Sequence, residues 1–397
     1  MESKRTSLLT VLSIMITMLV AAYLFTGPGY AIELAVVSLL ALGGWLRFSF
    51  RETPSQDTIA APYILIIVLS LILNTSRYWS GYSSFLAHWP AYFAPSFTLS
   101  EVVWFILFVT LPVSLMLLGG YYVSKRIPIG FYMAWWTFLY AIAESLTHYK
   151  VEFGLVDSYN HRYFIGAFAA LALFIAGFAG CQRLLKKHMT SSVSTLQPST
   201  LTNRQVNLWT ILLVCLIVLY GVTVYAQAGL LPVGILVGSM IGGLVGWRKT
   251  TAHYPANPYK VVPLYLLLMC LFYIHVGEEA ITHFNQGIAA ISGTPWVDTE
   301  FTFLIALIGP VVWILGAWSL WLRQPFGNYI LWYMVVGMIV GEPAHFLIFP
   351  VVAMIKFGIG YQYFSGMYTA LFPMIPAILA LLVIIHDHKQ RLALSKG

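Results

Sequence analysis

The feature that most constrains this chain is a succession of apolar runs, each about as long as a helix that crosses a bilayer. They lie near residues 8–26, 31–46, 61–76, 99–120, 129–148, 163–182, 208–226, 232–247, 261–284, 300–321, 329–350 and 366–386. About 20 apolar residues suffice for a helix to span the hydrocarbon. The expected fold class is therefore all-α: a polytopic membrane protein with about twelve transmembrane helices. Composition agrees, since 59% of the 397 residues are hydrophobic and 9% charged, against roughly 25% charged in soluble domains. The mean hydropathy is +0.81.

Lys and Arg concentrate on the cytoplasmic side of membrane proteins. With both termini cytoplasmic, 17 of the 21 basic residues fall in inner segments, and only Arg77, Lys150, Arg162 and Lys356 fall outside. The net charge of +7 is thus a topology signal, and no nucleic-acid partner is expected. The host is the plasma membrane in a prokaryote or the endoplasmic reticulum in a eukaryote. The first run follows a short basic start but lacks a convincing cleavage site, so it reads as a transmembrane helix. Cys181, Cys215 and Cys270 lie in or at the end of apolar runs and read as small core residues.

The chain resembles itself at half its length. Pro112 aligns with Pro310 and Glu144 with Glu342 at an offset of 198, Thr10 with Thr210 at 200, Pro62 with Pro263 at 201, and Gly44-Trp45 with Gly246-Trp247 at 202. Two parallel six-helix repeats are expected. Their parts are two N-terminal helices (1–60), a four-helix unit (61–187), a Ser/Thr/Lys-rich cytoplasmic linker (188–207), two more helices (208–261), a second four-helix unit (262–388) and a cytoplasmic tail (389–397). The copies differ in their ionisable residues. At the 201 offset His275 corresponds to Asn74 and Glu279 to Tyr78, although the first half keeps Glu101, Glu144 and His148. One active half and one degenerate half are expected.

The stretch "YIHVGEEAITHF", 273–284, places His275, Glu279 and His283 at i, i+4 and i+8 of a probable helix, on one stripe, with Glu278 about 100° round. Ionisable groups in hydrocarbon cost roughly 2.5–3.5 kcal/mol each on insertion scales, so they face a cavity or one another. The second half adds Asp298, Glu300, Glu342 and His345. Three readings compete. In the first, the polar groups only bind helix to helix. The Glu342-x-x-His345 spacing is that of di-iron carboxylate bundles, but those sites use two such motifs and one is present. The third reading is metal-free acid/base chemistry on an apolar substrate. The Gly-rich "GSMIGGLVGW", 238–247, reads as a helix-packing surface.

His275-x-x-x-Glu279, an acidic residue opening the next span (Glu300), Gly309-Pro310, "WSLWLRQP" and "ILWYMVVGMIVGEPAHFL" together resemble the emopamil-binding protein superfamily, the EXPERA domain. That family includes the sterol Δ8–Δ7 isomerase and the sigma-2 receptor. The better match covers 262–388 and a weaker copy 61–187; the two-copy arrangement is similar to the transmembrane 6 superfamily. The resemblance implies four-helix membrane bundles and a double-bond isomerase that works through a carbocation on a sterol or isoprenoid-like lipid. It implies His275, Glu279 and Glu300 as catalytic residues, with Glu342 matching the acidic position on the third helix; Glu278 and His283 are extra to the family pattern and, with His345, are expected as supporting polar groups. The isomerase carries a Trp on its last helix, and this chain has none between 366 and 386. Tyr368 or Phe372 would supply the aromatic face, with Trp318 as a further substrate-binding residue. No cofactor and no metal are expected, and a homo-oligomer is compatible with the reading. The alternative is a non-catalytic lipid-binding or lipid-transfer protein, followed by a membrane metalloenzyme.

Overall fold

A computed structural model describes residues 4–26, 28–50, 56–79, 109–147, 163–185 and 201–394. Among these residues the regular structure is helical throughout, with no strand. Ten helices are long and apolar enough to cross a membrane, so the chain is a polytopic membrane protein by length and composition. Of the other two expected spans, one coincides with the shorter apolar helix Leu111–Ser124, and the start expected for it at 99 lies outside the described residues. The second is the aromatic-rich helix Pro128–Thr147.

The chain divides into two compact units, Met1–Ser194 and Thr195–Gly397. The first holds α1 (Lys4–Thr26), α2 (Pro28–Gly44), α3 (Gln56–Trp79), α4 (Leu111–Ser124), α5 (Pro128–Thr147) and α6 (Tyr163–Leu185). Within it α3 packs on α4 and α6, α5 on α4 and α6, and α2 on α5. The second holds α7 (Asn203–Ala228), α8 (Leu230–Lys249), α9 (Pro258–Ile281), α10 (Phe284–Ser292), α11 (Asp298–Trp321), α12 (Pro325–Val340), α13 (Ala344–Leu347), α14 (Phe349–Phe357) and α15 (Leu371–Leu394). Here α9 packs on α11 and α15, α12 on α11 and α15, and α8 on α12.

Local chemistry explains where these helices begin and bend. Thr202 and Gln205 form a reciprocal capping box at the start of α7, and Asn257 caps α9 ahead of Pro258, satisfying amide groups that no earlier turn can reach. Helix α11 is π-wound across Thr302–Ile308 and returns to α geometry at Gly309. Pro310 has no N–H to give the Ala306 carbonyl one turn back, and that carbonyl instead accepts the Tyr273 hydroxyl at 3.2 Å. The glycine-rich stretch does pack: a Cβ on Gly243 would lie 2.7 Å from the Tyr333 backbone, so α8 and α12 approach closely only because the side chain is absent.

One turn recurs in both units. Arg126 (φ 56°) and Arg323 (φ 58°) are left-handed, and in each case the residue one further on donates to a carbonyl five back, Ile127 to Tyr122 and Gln324 to Ser319, both at 2.9 Å. These bonds satisfy carbonyls that the helix end leaves open. The sequence beneath is Arg-x-Pro-x-Gly at 126–130 and again at 323–327. Likewise Tyr63 on α3 donates to the Met116 carbonyl at 2.7 Å, and Tyr265 on α9 to the Trp313 carbonyl at 2.8 Å.

Candidate functional site

The second unit contains a cavity of about 110 Å³ whose lining is mostly apolar. Aromatic walls come from Phe272, Phe284, Trp296, Phe301, Trp313, Tyr333 and Phe349, and the imidazole and carboxyl groups in its lining belong to His275, Glu279, Glu342 and His345. All four are buried, at 1% exposure for His275 and 5% for the others. Spacings of three and four residues on α9 place Phe272, His275 and Glu279 along one face.

Glu342 and His345 arrive by a different route. Pro343 cannot continue the α-helical hydrogen bonding of α12, so that helix ends at Val340. Tight turns follow, with Ala344 N–H donating to the Gly341 carbonyl at 2.9 Å and His345 N–H to the Glu342 carbonyl at 3.1 Å. The break turns both side chains inward, onto the pair from α9.

Within the cluster His275 Nε2 lies 2.9 Å from Glu342 Oε2 and 3.6 Å from Glu279 Oε1. His345 Nε2 lies 3.5 Å from Glu279 Oε1 and 4.0 Å from Glu342 Oε2. Glu342 Oε2 makes no aligned hydrogen bond. His345 Nδ1 is 2.7 Å from the Ser365 carbonyl; a carbonyl only accepts, so Nδ1 carries the hydrogen and Nε2 faces the carboxylates. His275 Nδ1 is 3.1 Å from Thr369 Oγ1. One atom each from His275, Glu342 and His345 lie within 4.8 Å of one another, a spacing that would also admit a metal ion.

Other expected site residues sit elsewhere. Glu278 is half-buried and holds the segment 358–370, accepting from the Tyr363 hydroxyl at 2.6 Å, Tyr368 N–H at 3.1 Å, Thr369 N–H at 2.8 Å and the Thr369 hydroxyl at 2.5 Å. Partial burial and the bond to Glu278 raise the Tyr363 phenol above its usual pKa, keeping it a donor. His283 leaves the stripe because α9 ends at Ile281. It turns left-handed at φ 55° and lies 3.6 Å from Asp298, with both side chains half exposed.

Glu300 is exposed in the first turn of α11 and does not line the cavity; its neighbour Phe301 does. Trp318 is also outside the lining, and Trp313 takes the aromatic role on α11. Tyr368 and Phe372 are exposed, at 74% and 41%, with Tyr368 stacked on Tyr363.

The aromatic walls were not read from the sequence. Phe272 was legible as the residue one turn before His275. Trp296, Phe284 and Phe349 come from three separate segments, and only tertiary packing joins them. Glu101 and His148 lie outside the described residues. No protein-family model matches the chain, no curated protein matches it, and no solved structure matches its fold.

Proposed function

We propose that this chain is a membrane-embedded enzyme that shifts a double bond in a lipophilic, sterol- or isoprenoid-like substrate by adding one proton and removing another. The observation that carries the reading is the 2.9 Å approach of His275 Nε2 to Glu342 Oε2 at the edge of an apolar cavity. Two bare acceptor atoms so close repel, so one of the pair carries a proton. That proton is the one delivered to one alkene carbon, which leaves the cation on the other, and Glu279, beside His345, takes a proton from the carbon on the far side of the cation. The double bond moves by one position, one proton enters and one leaves, and no oxidant is needed. Phe272 and Trp313 offer ring faces to the intervening carbocation. Glu342 thus takes the part that the resemblance gave to Glu300.

The cavity is small, since an apolar cavity on the order of 150 Å³ holds benzene. The reacting end of the substrate fits within it, and the rest of a sterol or isoprenoid lies outside, toward the bilayer. The two units are read as parallel repeats of twelve spans in all, with both termini cytoplasmic; the recurring Arg-x-Pro-x-Gly turn and the basic-residue split support this. Lipids extracted with the purified protein, identified by mass spectrometry and then incubated with it in heavy water, test the reading. A sterol or isoprenoid that gains deuterium at a carbon next to a shifted double bond is expected. Bound lipids that gain none would leave a carrier.

A further inference from the structure

The carboxylate of α9 that the proposed reaction leaves unused is Glu278, and the segment it grips touches both imidazoles. Ser365 gives its carbonyl to His345 Nδ1, Thr369 its hydroxyl oxygen to His275 Nδ1, and Ser365 and Thr282 bond through their hydroxyls. Between them sits Gly366 at φ 83°, where a Cβ would lie 2.6 Å from the His345 ring and 2.8 Å from His275 Cε1. Glycine is required twice over there, by its left-handed backbone and by the rings against it.

We propose that Glu278 is a positioning residue that sets the tautomer of His275 through Thr369, and so makes the proton between His275 and Glu342 one that can be handed over. This rests on the proton-transfer reading of the cluster. Four donors converge on the Glu278 carboxylate, and a carboxylate only accepts. The single hydrogen of the Thr369 hydroxyl is therefore spent on Glu278, at 2.5 Å. Thr369 Oγ1 can then only accept from His275, so Nδ1 carries a hydrogen.

The consequence lies at the other nitrogen. With Nδ1 protonated, any proton shared by Nε2 and Glu342 is additional to the neutral ring. Giving it to a substrate leaves an ordinary imidazole beside a carboxylate. Were Thr369 free to donate to Nδ1 instead, the Nε2 hydrogen would be the ring's only one, and releasing it would leave an imidazolate. Fixing a catalytic imidazole in its working tautomer through a buried acid matters greatly elsewhere; in the serine-protease triad its loss costs about 10⁴-fold.

The test is ¹⁵N NMR of the full chain in nanodiscs with ¹⁵N-labelled histidine, the His275 signals being assigned by their loss in His275→Gln. Wild type is expected to show His275 Nδ1 protonated. In Glu278→Gln and Thr369→Val, Nδ1 is expected to lose its hydrogen and Nε2 to keep one, while Thr369→Ser restores the wild-type pattern. A His275 that keeps its Nδ1 hydrogen in Glu278→Gln and Thr369→Val alike overturns the proposal. Should Glu278→Gln fail to fold, the comparison of Thr369→Val with Thr369→Ser decides it. A tautomer that follows Glu278 in a protein that moves no deuterium into lipid upholds the positioning role and removes the isomerase.

Discussion

On α3 of the first unit stand Asn74, Arg77 and Tyr78; on α9 of the second, at the 201 offset, stand His275, Glu278 and Glu279. Each set meets a glutamate at equivalent positions of a later segment, Glu144 and Glu342. In the first unit Arg77 pairs with Glu144, and Asn74 turns its amide to the Ser70 carbonyl of its own helix. A guanidinium stays charged under all ordinary conditions, so that pair is closed to proton traffic. Imidazole can gain or lose a proton, and the second unit sets two of them against two carboxylates. One unit thus carries a closed salt bridge where the other sets imidazoles against carboxylates, and the proposed proton chemistry rests on that contrast.

The largest expected effect separates structure from chemistry. Glu144→Gln leaves the buried Arg77 without its carboxylate and is expected to cost about 3–5 kcal/mol of stability, read as a fall in melting temperature. The double change Arg77→Met, Glu144→Leu should recover most of it. A Glu144→Gln protein as stable as wild type would show that the first unit does not depend on its pair.

Next comes the shared frame itself. Ala at Gly130 would meet Val123 N at 2.4 Å, and Ala at Gly327 would meet Leu320 N at 2.1 Å. Each substitution is expected to cost about 1–3 kcal/mol through overpacking, by similar amounts in thermal unfolding. A large cost at one and none at the other would break the parallel between the turns.

Metal content sharpens the contrast in the second unit. A site that works by protons should hold well under one equivalent of iron, zinc or manganese by elemental analysis of purified protein. Stoichiometric metal, lost on His345→Ala, would put a cation where the account puts a proton.

The smallest effect is expected at Glu300. Because it is exposed and outside the cavity lining, Glu300→Gln should leave deuterium incorporation within about twofold of wild type. A loss as large as that expected of Glu342→Gln would return the acid to the site.

The sequence made all four members of the cluster legible, and the expected residues that fall outside it do so for identifiable reasons. His275 and Glu279 follow from helical period alone, and Glu342 and His345 from a Glu-Pro-Ala-His motif whose proline must break a helix. His283 failed because the period held only while α9 lasted. Glu300 came from the resemblance alone, and the fold leaves it exposed in the first turn of α11 while Phe301 beside it faces the cavity. Trp318 and Trp313 are five residues apart, about 140° round the helix, so naming the wrong one inverts the face. The segment 358–370 has no periodic signal; its role rests on hydrogen bonds to a residue about 90 positions away.

The central claim is that proton chemistry belongs to Glu342 and not to its counterpart Glu144. Deuterium incorporation from heavy water into the protein's bound lipids, measured per mole of folded protein, tests it most directly across wild type, Glu342→Gln and Glu144→Gln. The account predicts incorporation in wild type, a loss of about 10²–10⁴-fold in Glu342→Gln, and a rate close to wild type in Glu144→Gln. Incorporation unchanged in Glu342→Gln would contradict it.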